Sequence, residues 1–409
     1  MKDSGILVSV LCTAYNHEKF IADAIEGVLK QKTDFRYELI IHEDASTDRT
    51  AEIIKDYENR YPEIIKVIYQ DVNQYQQCNI YEKYLFPRVQ GKYFATCEGD
   101  DYWTDEKKLQ LQVDFLEAHP DYSMCMHNAV KLNFETGEET LLNTFPQDGT
   151  YSQKEQIRAG LGSEFPAFAS CVFRTELLGE MPHFFLEQKV LDYPLRQYYA
   201  SKGSVYYYEK PMSVYRMATP QSYMIQVGRN QSFYNNYTLE MIRFFEKFDN
   251  YMGRQYHDLL QNKILSDYFG YCLSMDEEQG KKKAQEHGLN MQIVENCYQC
   301  FSTEHMRACV SKLQDTADRL FIYGVSRLSA LCKTKMDELG ITVQGYVVSD
   351  GVMKPEHVED KPVYYLSQAL ADYECSGFVL AVQPVNGAAI VETLKRQGVT
   401  CYCEPYQIL

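Results

Sequence analysis

The first third of the chain alternates short apolar runs with segments whose apolar residues recur at helical spacing. Ile6 to Thr13 is a nearly continuous apolar run, which predicts a strand buried on both faces. Between Glu18 and Gln31, the residues Phe20, Ile21, Ala24, Ile25, Val28 and Leu29 fall on one face of a helix. The same patterns predict strands at Tyr37 to His42, Ile64 to Tyr69 and Tyr93 to Cys97, with a helix at Thr50 to Tyr61. Such alternation implies a parallel sheet with crossover helices, in which ligands gather at the carboxyl ends of the strands. A helix from Asp105 to Ala118 and a strand from Ser123 to Asn133 follow. After a polar, loop-rich stretch from Gly137 to Gly162, strands are expected at Ala167 to Phe173 and Gly203 to Tyr208, around a helix at Pro194 to Ala200.

From Asn230 to Asp318 the pattern is helical and rich in Tyr and Phe; Leu239, Ile242, Phe245 and Phe248 share one face and read as core. This segment either joins two α/β units or forms a homodimer, and periodicity leaves both open. A second α/β pattern then begins. It has strands at Leu320 to Tyr323, Val343 to Ser349 and Phe378 to Val382, and helices at Leu328 to Leu339 and Gly387 to Gln397. Its first turn carries only Gly324 of the dinucleotide fingerprint, with Asp350 near the place of an acidic ribose partner; a plain strand-to-helix turn predicts the same residues. The expected division is 1–229, 230–318 and 319–409, the last a small Rossmann-like domain.

A chain of 409 residues with 45% hydrophobic and 24% charged residues should fold as more than one globular domain. A net charge of −16 argues against nucleic acid or an anionic membrane as partner, and Lys281-Lys282-Lys283 reads as a solvated helix face. Neither a signal peptide nor a transmembrane segment is expected, since no apolar stretch nears the required length of about 20 residues. Thirteen cysteines without regular spacing suit a reducing cytoplasm, with peripheral attachment at the inner face of the membrane left open. The Cys297/Cys300 and Cys401/Cys403 pairs lack a matching second pair for zinc and read as buried thiols.

The chemistry concentrates where the strand ending at Cys97 runs into Glu98, Asp100 and Asp101. Carboxylates this crowded repel one another unless a cation is shared. Glu98 and Asp100, two apart, point to one side of an extended backbone, and Gly99 leaves room for a diphosphate. Their hard oxygens suit Mn²⁺ or Mg²⁺. A second acidic pair, Glu43 and Asp44, ends another strand, where Asp44 can face Thr13, Tyr15 and Asn16 and accept from a nucleobase N–H or a ribose hydroxyl. Helix capping by Asp101, Ser46 or Asp48 is the plainer role for part of this set.

These motifs resemble those of the family-two inverting glycosyltransferases of the GT-A fold. Thr13, Tyr15 and Asn16 match the turn after the first strand, and Glu43, Asp44, Ser46, Thr47 and Asp48 match the turn after the second. Glu98-Gly99-Asp100-Asp101 matches the metal motif, with Glu98 in place of the more usual Asp, so Asp100 is the stronger metal ligand. The resemblance spans Ile6 to Met217. It implies a GT-A domain, a nucleotide-sugar donor, a divalent cation, a glycan or lipid-linked sugar acceptor, and a catalytic base late in the domain. Asp192 stands at that place, with Glu187 as a fallback. Arg216 is a candidate diphosphate contact, while Met217 and Ala218 stand where the family often has His. Asp101, Trp103 and His127 are candidate acceptor or pocket residues, His127 equally a core histidine. The competing reading is a binding or scaffold protein that keeps the nucleotide fold without turnover. A nicotinamide-dependent oxidoreductase would require the full glycine fingerprint.

Overall fold

The computed structural model describes residues 5–75, 77–161, 165–217, 219, 222–373, 375–382 and 384–406. The chain divides into two compact units, Met1–Phe233 and Tyr234–Leu409.

The first unit is built on one mixed sheet. Strands β1 (Ile6–Ala14), β2 (Arg36–Glu43), β3 (Ile65–Tyr69) and β4 (Tyr93–Thr96) are parallel, with α1 (Ile21–Leu29) and α2 (Thr50–Arg60) in the first two crossovers. Val8, Val10 and Leu11 are fully buried, as the nearly continuous apolar run of β1 requires of a strand covered on both faces. The polar exception, Ser9, donates to Glu38 at 2.7 Å and accepts the Gln90 and Gly91 amides. Helix α1 buries Ile21, Ala24, Ile25 and Val28. Its Gly27 lets the backbone of β5 (Tyr102–Trp103) come close, since a Cβ there would lie 2.8 Å from Trp103 N and O.

Beyond β5 follow α3 (Lys108–Ala118), β6 (Tyr122–Asn133), β7 (Glu139–Leu141), β8 (Gly149–Tyr151), α4 (Gln153–Leu161), β9 (Val172–Arg174), α5 (Asp192–Lys202) and β10 (Ser204–Met217). The sheet order is β3-β2-β1-β4-β9-β6-β10-β5, with β7 on β6 and β8 on β10. Two expectations change here. The stretch expected to be loop contains β7, β8 and α4; β7 is exposed throughout and is held by pairing with β6, so no alternation marks it in the sequence. The strand expected at Ala167 to Phe173 is a 3₁₀ turn, Phe168–Ser170, followed by β9. Strand β10 runs past Tyr208 to Met217 because register shifts on either side of Pro211 let it keep pairing with β6.

In the second unit, α6 (Tyr223–Arg229) of the first is followed by α7 (Gln231–Tyr251), which begins at the boundary, then α8 (His257–Leu273), α9 (Glu277–Glu286), α10 (Met291–Cys300) and α11 (Thr303–Gln314). Leu239, Ile242, Phe245 and Phe248 are buried, as a core stripe should be. Strands β11 (Arg319–Tyr323), β12 (Gly345–Val348), β13 (His357–Val358), β14 (Lys361–Tyr365), β15 (Ser376–Leu380) and β16 (Tyr402–Cys403) form the order β13-β14-β12-β11-β15-β16. All pairs except β13–β14 are parallel, and α12 (Arg327–Glu338), α13 (Leu366–Asp372) and α14 (Pro384–Arg396) lie between strands. Gly324, at φ +113°, makes the turn after β11, and Asp350 accepts the Ser367 amide and hydroxyl at the start of α13. All thirteen cysteines are free thiols, with Cys297 and Cys300 buried on α10.

Candidate active site

The carboxyl ends of β1 and β2 are locked together. Asn16, at φ +55°, accepts the Thr47 amide at 2.7 Å through its side chain and donates its own amide to Ser46 Oγ. The His17 amide donates to Thr50 Oγ1, and the Glu18 amide to Asp48. Glu43 is buried and accepts the Ser46 amide at 2.8 Å. The two motifs thus make one double turn, with Tyr15 exposed on it. Asp44 is 2% exposed, and its two oxygens accept the Gln74 and Tyr75 amides at 2.7 and 3.1 Å. Burial holds its carboxyl above the usual range, and the two amide bonds partly offset this.

The acidic turn after β4 is pinned to β1: Cys97 N donates to Leu11 O, and Gly99 N donates to Thr13 O at 2.9 Å. A Cβ at Gly99 would meet His17 Nδ1 at 2.7 Å and Thr13 O at 2.9 Å, so the glycine is required by packing. Burial first, then the Asp100 and Asp192 carboxylates, push Glu98 up to about 8. Asp192 is the first residue of α5, so a charge from a distant part of the chain acts on Glu98. Asp101 is buried; its Oδ1 accepts the Arg216 amide at 2.8 Å, and its Oδ2 is buried with no partner among the described residues. Burial, Asp100 and Glu98 hold its carboxyl well above the ordinary range. Asp100 Oδ2 accepts from Thr219 at 3.2 Å.

Arg216 turns its guanidinium to the Asp100 carbonyl at 2.8 Å and to the carboxylate of Asp23 on α1, over the ring of Tyr102. It therefore ties β10 to α1 and to the acidic turn. Ala218, beyond it, lies outside the described residues. Trp103 is buried, donates from Nε1 to Ala169 O at 2.8 Å, and carries the Lys108 ammonium 4.1 Å above its ring. His127 is fully buried in β6, its Nδ1 2.6 Å from Asn128 O; burial and then Lys108 hold it well below the ordinary imidazole range. Glu187 lies 3.6 Å from His183 Nδ1.

Three further residues belong to this place. The phenols of Tyr81 and Tyr215 are pushed up by burial and by Glu98 and Asp192, with Asp101 and Asp100 also acting on Tyr215. Lys108 has no exposed surface, bonds Gln112 at 2.8 Å, and is lowered to about 8 by burial. Its signal in the sequence was a lysine and Gln112 sharing a helix face with Leu109, Val113 and Leu116.

Among the described residues, no three His, Cys, Asp or Glu side chains lie close enough together to cage a metal ion. The donor set nevertheless fits a hard cation that takes only one or two protein carboxylates and fills its shell from phosphates. The acids are all oxygen donors, Glu98 is held up by burial and then by neighbouring carboxylates, and Asp101 keeps a buried oxygen without a partner among the described residues.

Residues 9–181 match the family model described as Glycosyl transferase family 2. An uncharacterized protein of Mycobacterium tuberculosis is 33% identical over 210 residues, 51% of this chain and 58% of that protein. The chain thus spans little more than half the length of this relative. UDP-Glc:alpha-D-GlcNAc-diphosphoundecaprenol beta-1,3-glucosyltransferase WfaP of Escherichia coli is 32% identical over 155 residues, 38% of this chain and 54% of WfaP. The crystal structure of TarS 1–349 from S. aureus in complex with UDP-GlcNAc superposes with a TM-score of 0.45 at 13% identity, covering 72% of this chain and 91% of that one.

Proposed function

We propose that this chain, whose residues 9–181 match the family model described as Glycosyl transferase family 2, is an inverting, cation-dependent transferase. It moves a sugar from a nucleotide-diphosphate donor, a UDP-sugar first among them, to a hydroxyl of a glycan or lipid-linked acceptor in cell-surface glycan synthesis. The observation that carries the reading is that the buried carboxyl of Glu98, in the acidic turn after β4, is pushed up by burial and then by the charges of Asp100 beside it and of Asp192 at the start of α5. In this reading Asp192 takes the proton from the acceptor hydroxyl. The hydroxyl oxygen then bonds to the anomeric carbon as the bond to the diphosphate breaks on the opposite face. Asp100, with Glu98, would hold Mn²⁺ or Mg²⁺, which when bound neutralises charge on the departing diphosphate. Thr13, Tyr15, Asn16, Glu43 and Asp44 shape the nucleotide end. The donor and acceptor named for WfaP belong to the same chemical classes.

We place this activity in the cytoplasm or at the inner membrane face. Thirteen free thiols suit a reducing compartment. Among the described residues no helix is long and apolar enough to cross a membrane.

A non-catalytic nucleotide-sugar-binding or scaffold protein is favoured by one observation: Asp44 and Arg216 both spend their polar atoms on the protein itself. Calorimetry with a set of nucleotide-sugars, in Mn²⁺ and then in EDTA, followed by donor hydrolysis, separates the two. Metal-dependent binding of one donor with slow hydrolysis is expected. Binding without hydrolysis in either condition would leave the scaffold reading, and binding of no donor would remove both.

A further inference from the structure

One helical turn beyond Asp192 on α5 lies Arg196, whose side chain is 1% exposed while that of Asp192 keeps 25%. An acceptor can reach the acid but not the guanidinium beneath it. Arg196 Nε donates to the Asp192 backbone carbonyl at 3.1 Å, and Nη2 lies 4.0 Å from Asp192 Oδ2. Nη1 is buried with no hydrogen-bond partner among the described residues. Asp192 Oδ1 accepts the Tyr193 amide at 2.6 Å, which fixes one oxygen and leaves Oδ2 to take a proton.

A buried guanidinium without a close carboxylate is a poor way to stabilise a helix. Leu195, Tyr198 and Tyr199 already fill the core side of α5. The separation of 4.0 Å is too long for a hydrogen bond, so Arg196 does not occupy the lone pair a base would use. It is short enough for the charge to act on the carboxylate, whose own charge is felt by Glu98, Tyr81, Tyr215 and Cys171.

We infer that Arg196 is a positioning residue for the transfer reaction: its backbone tether and its buried charge hold the Asp192 carboxylate turned toward the acceptor. This rests on Asp192 being the base.

The test uses the full chain, with Mn²⁺ and release of UDP from UDP-glucose and UDP-N-acetylglucosamine. Arg196→Met should lower kcat at least about tenfold with KM within about twofold, the split expected when only the transition state is affected. Arg196→Lys should recover part of the loss, because the charge returns without the two-pronged geometry. In an Asp192→Asn background, Arg196→Met should change kcat less than about twofold, since the two residues act as a unit. If Arg196→Met loses cooperative melting, Arg196→Lys decides: kcat down at least about threefold at constant KM supports the role, and parental kcat overturns it. An equal loss in both backgrounds, or a change in KM alone, overturns the role of Arg196 and leaves the base in place. Parental turnover by Asp192→Asn, or no UDP release by the parent chain, overturns the assignment of the base and this inference with it.

Discussion

The Asp44 carboxylate accepts the amides of Gln74 and Tyr75, thirty residues further along the chain, one on each oxygen. The same segment reaches the other side of the site, where Asn79 Nδ2 donates to the carbonyls of Leu186 and Gln188, shortly before Asp192. Asp44→Ala should therefore free the Gln74 and Tyr75 amides, seen as faster hydrogen exchange. Donor binding by calorimetry should weaken at least about tenfold, the low end for losing a charge-assisted bond. Unchanged exchange at both amides would show that the segment is held by other contacts.

Asp100→Ala should abolish the metal-dependent part of donor binding. The measurement is the difference between titrations in Mn²⁺ and in EDTA. A variant that keeps this difference would take the metal away from Asp100.

Gly99→Ala places a methyl against Thr13 O and His17 Nδ1, and the first of these is backbone in a strand that cannot retreat. A loss of about 1–3 kcal/mol in denaturant unfolding is expected, the usual cost of overpacking. Parental stability would show that the acidic turn can shift away from β1.

Stability should fall in mild acid. Burial first and Arg88 second lower His42 from 6.5 to about 4, and burial lowers His127 in the same direction. Between pH 6.5 and about 4 the unfolded chain binds a proton that folded His42 refuses, so stability rises with pH across this window. Above 6.5 both states are neutral there and the contribution is flat. Because Glu98 and Asp101 are shifted upward and act with the opposite sign, the comparison is between parent and His42→Gln. The variant should lose less Tm from pH 7 to pH 5, and identical slopes would remove His42 as a cause.

Strands β1, β2 and β4 were legible because each is largely buried and leaves a short, mostly apolar run. The crowding of Glu98, Asp100 and Asp101 was legible for an electrostatic reason that needs no coordinates. Non-local pairing was not legible. Strand β7 is exposed along its whole length and exists through its bonds to β6. The placement of Arg216 depends on register shifts around Pro211, and the partners of Asp44 depend on a loop with no periodic pattern. Tyr81 and Tyr215 were hidden among 34 tyrosines, since a phenol near carboxylates has no local signature.

The chain has a single tryptophan, and it lies under the acidic turn with its indole N–H fixed to Ala169 and an ammonium over its ring. Intrinsic fluorescence excited in the indole band therefore comes from one spot, two residues past Asp101. The molecule carries its own optical probe there. Any rearrangement that shifts Lys108 or the β5 backbone will change that emission without a label.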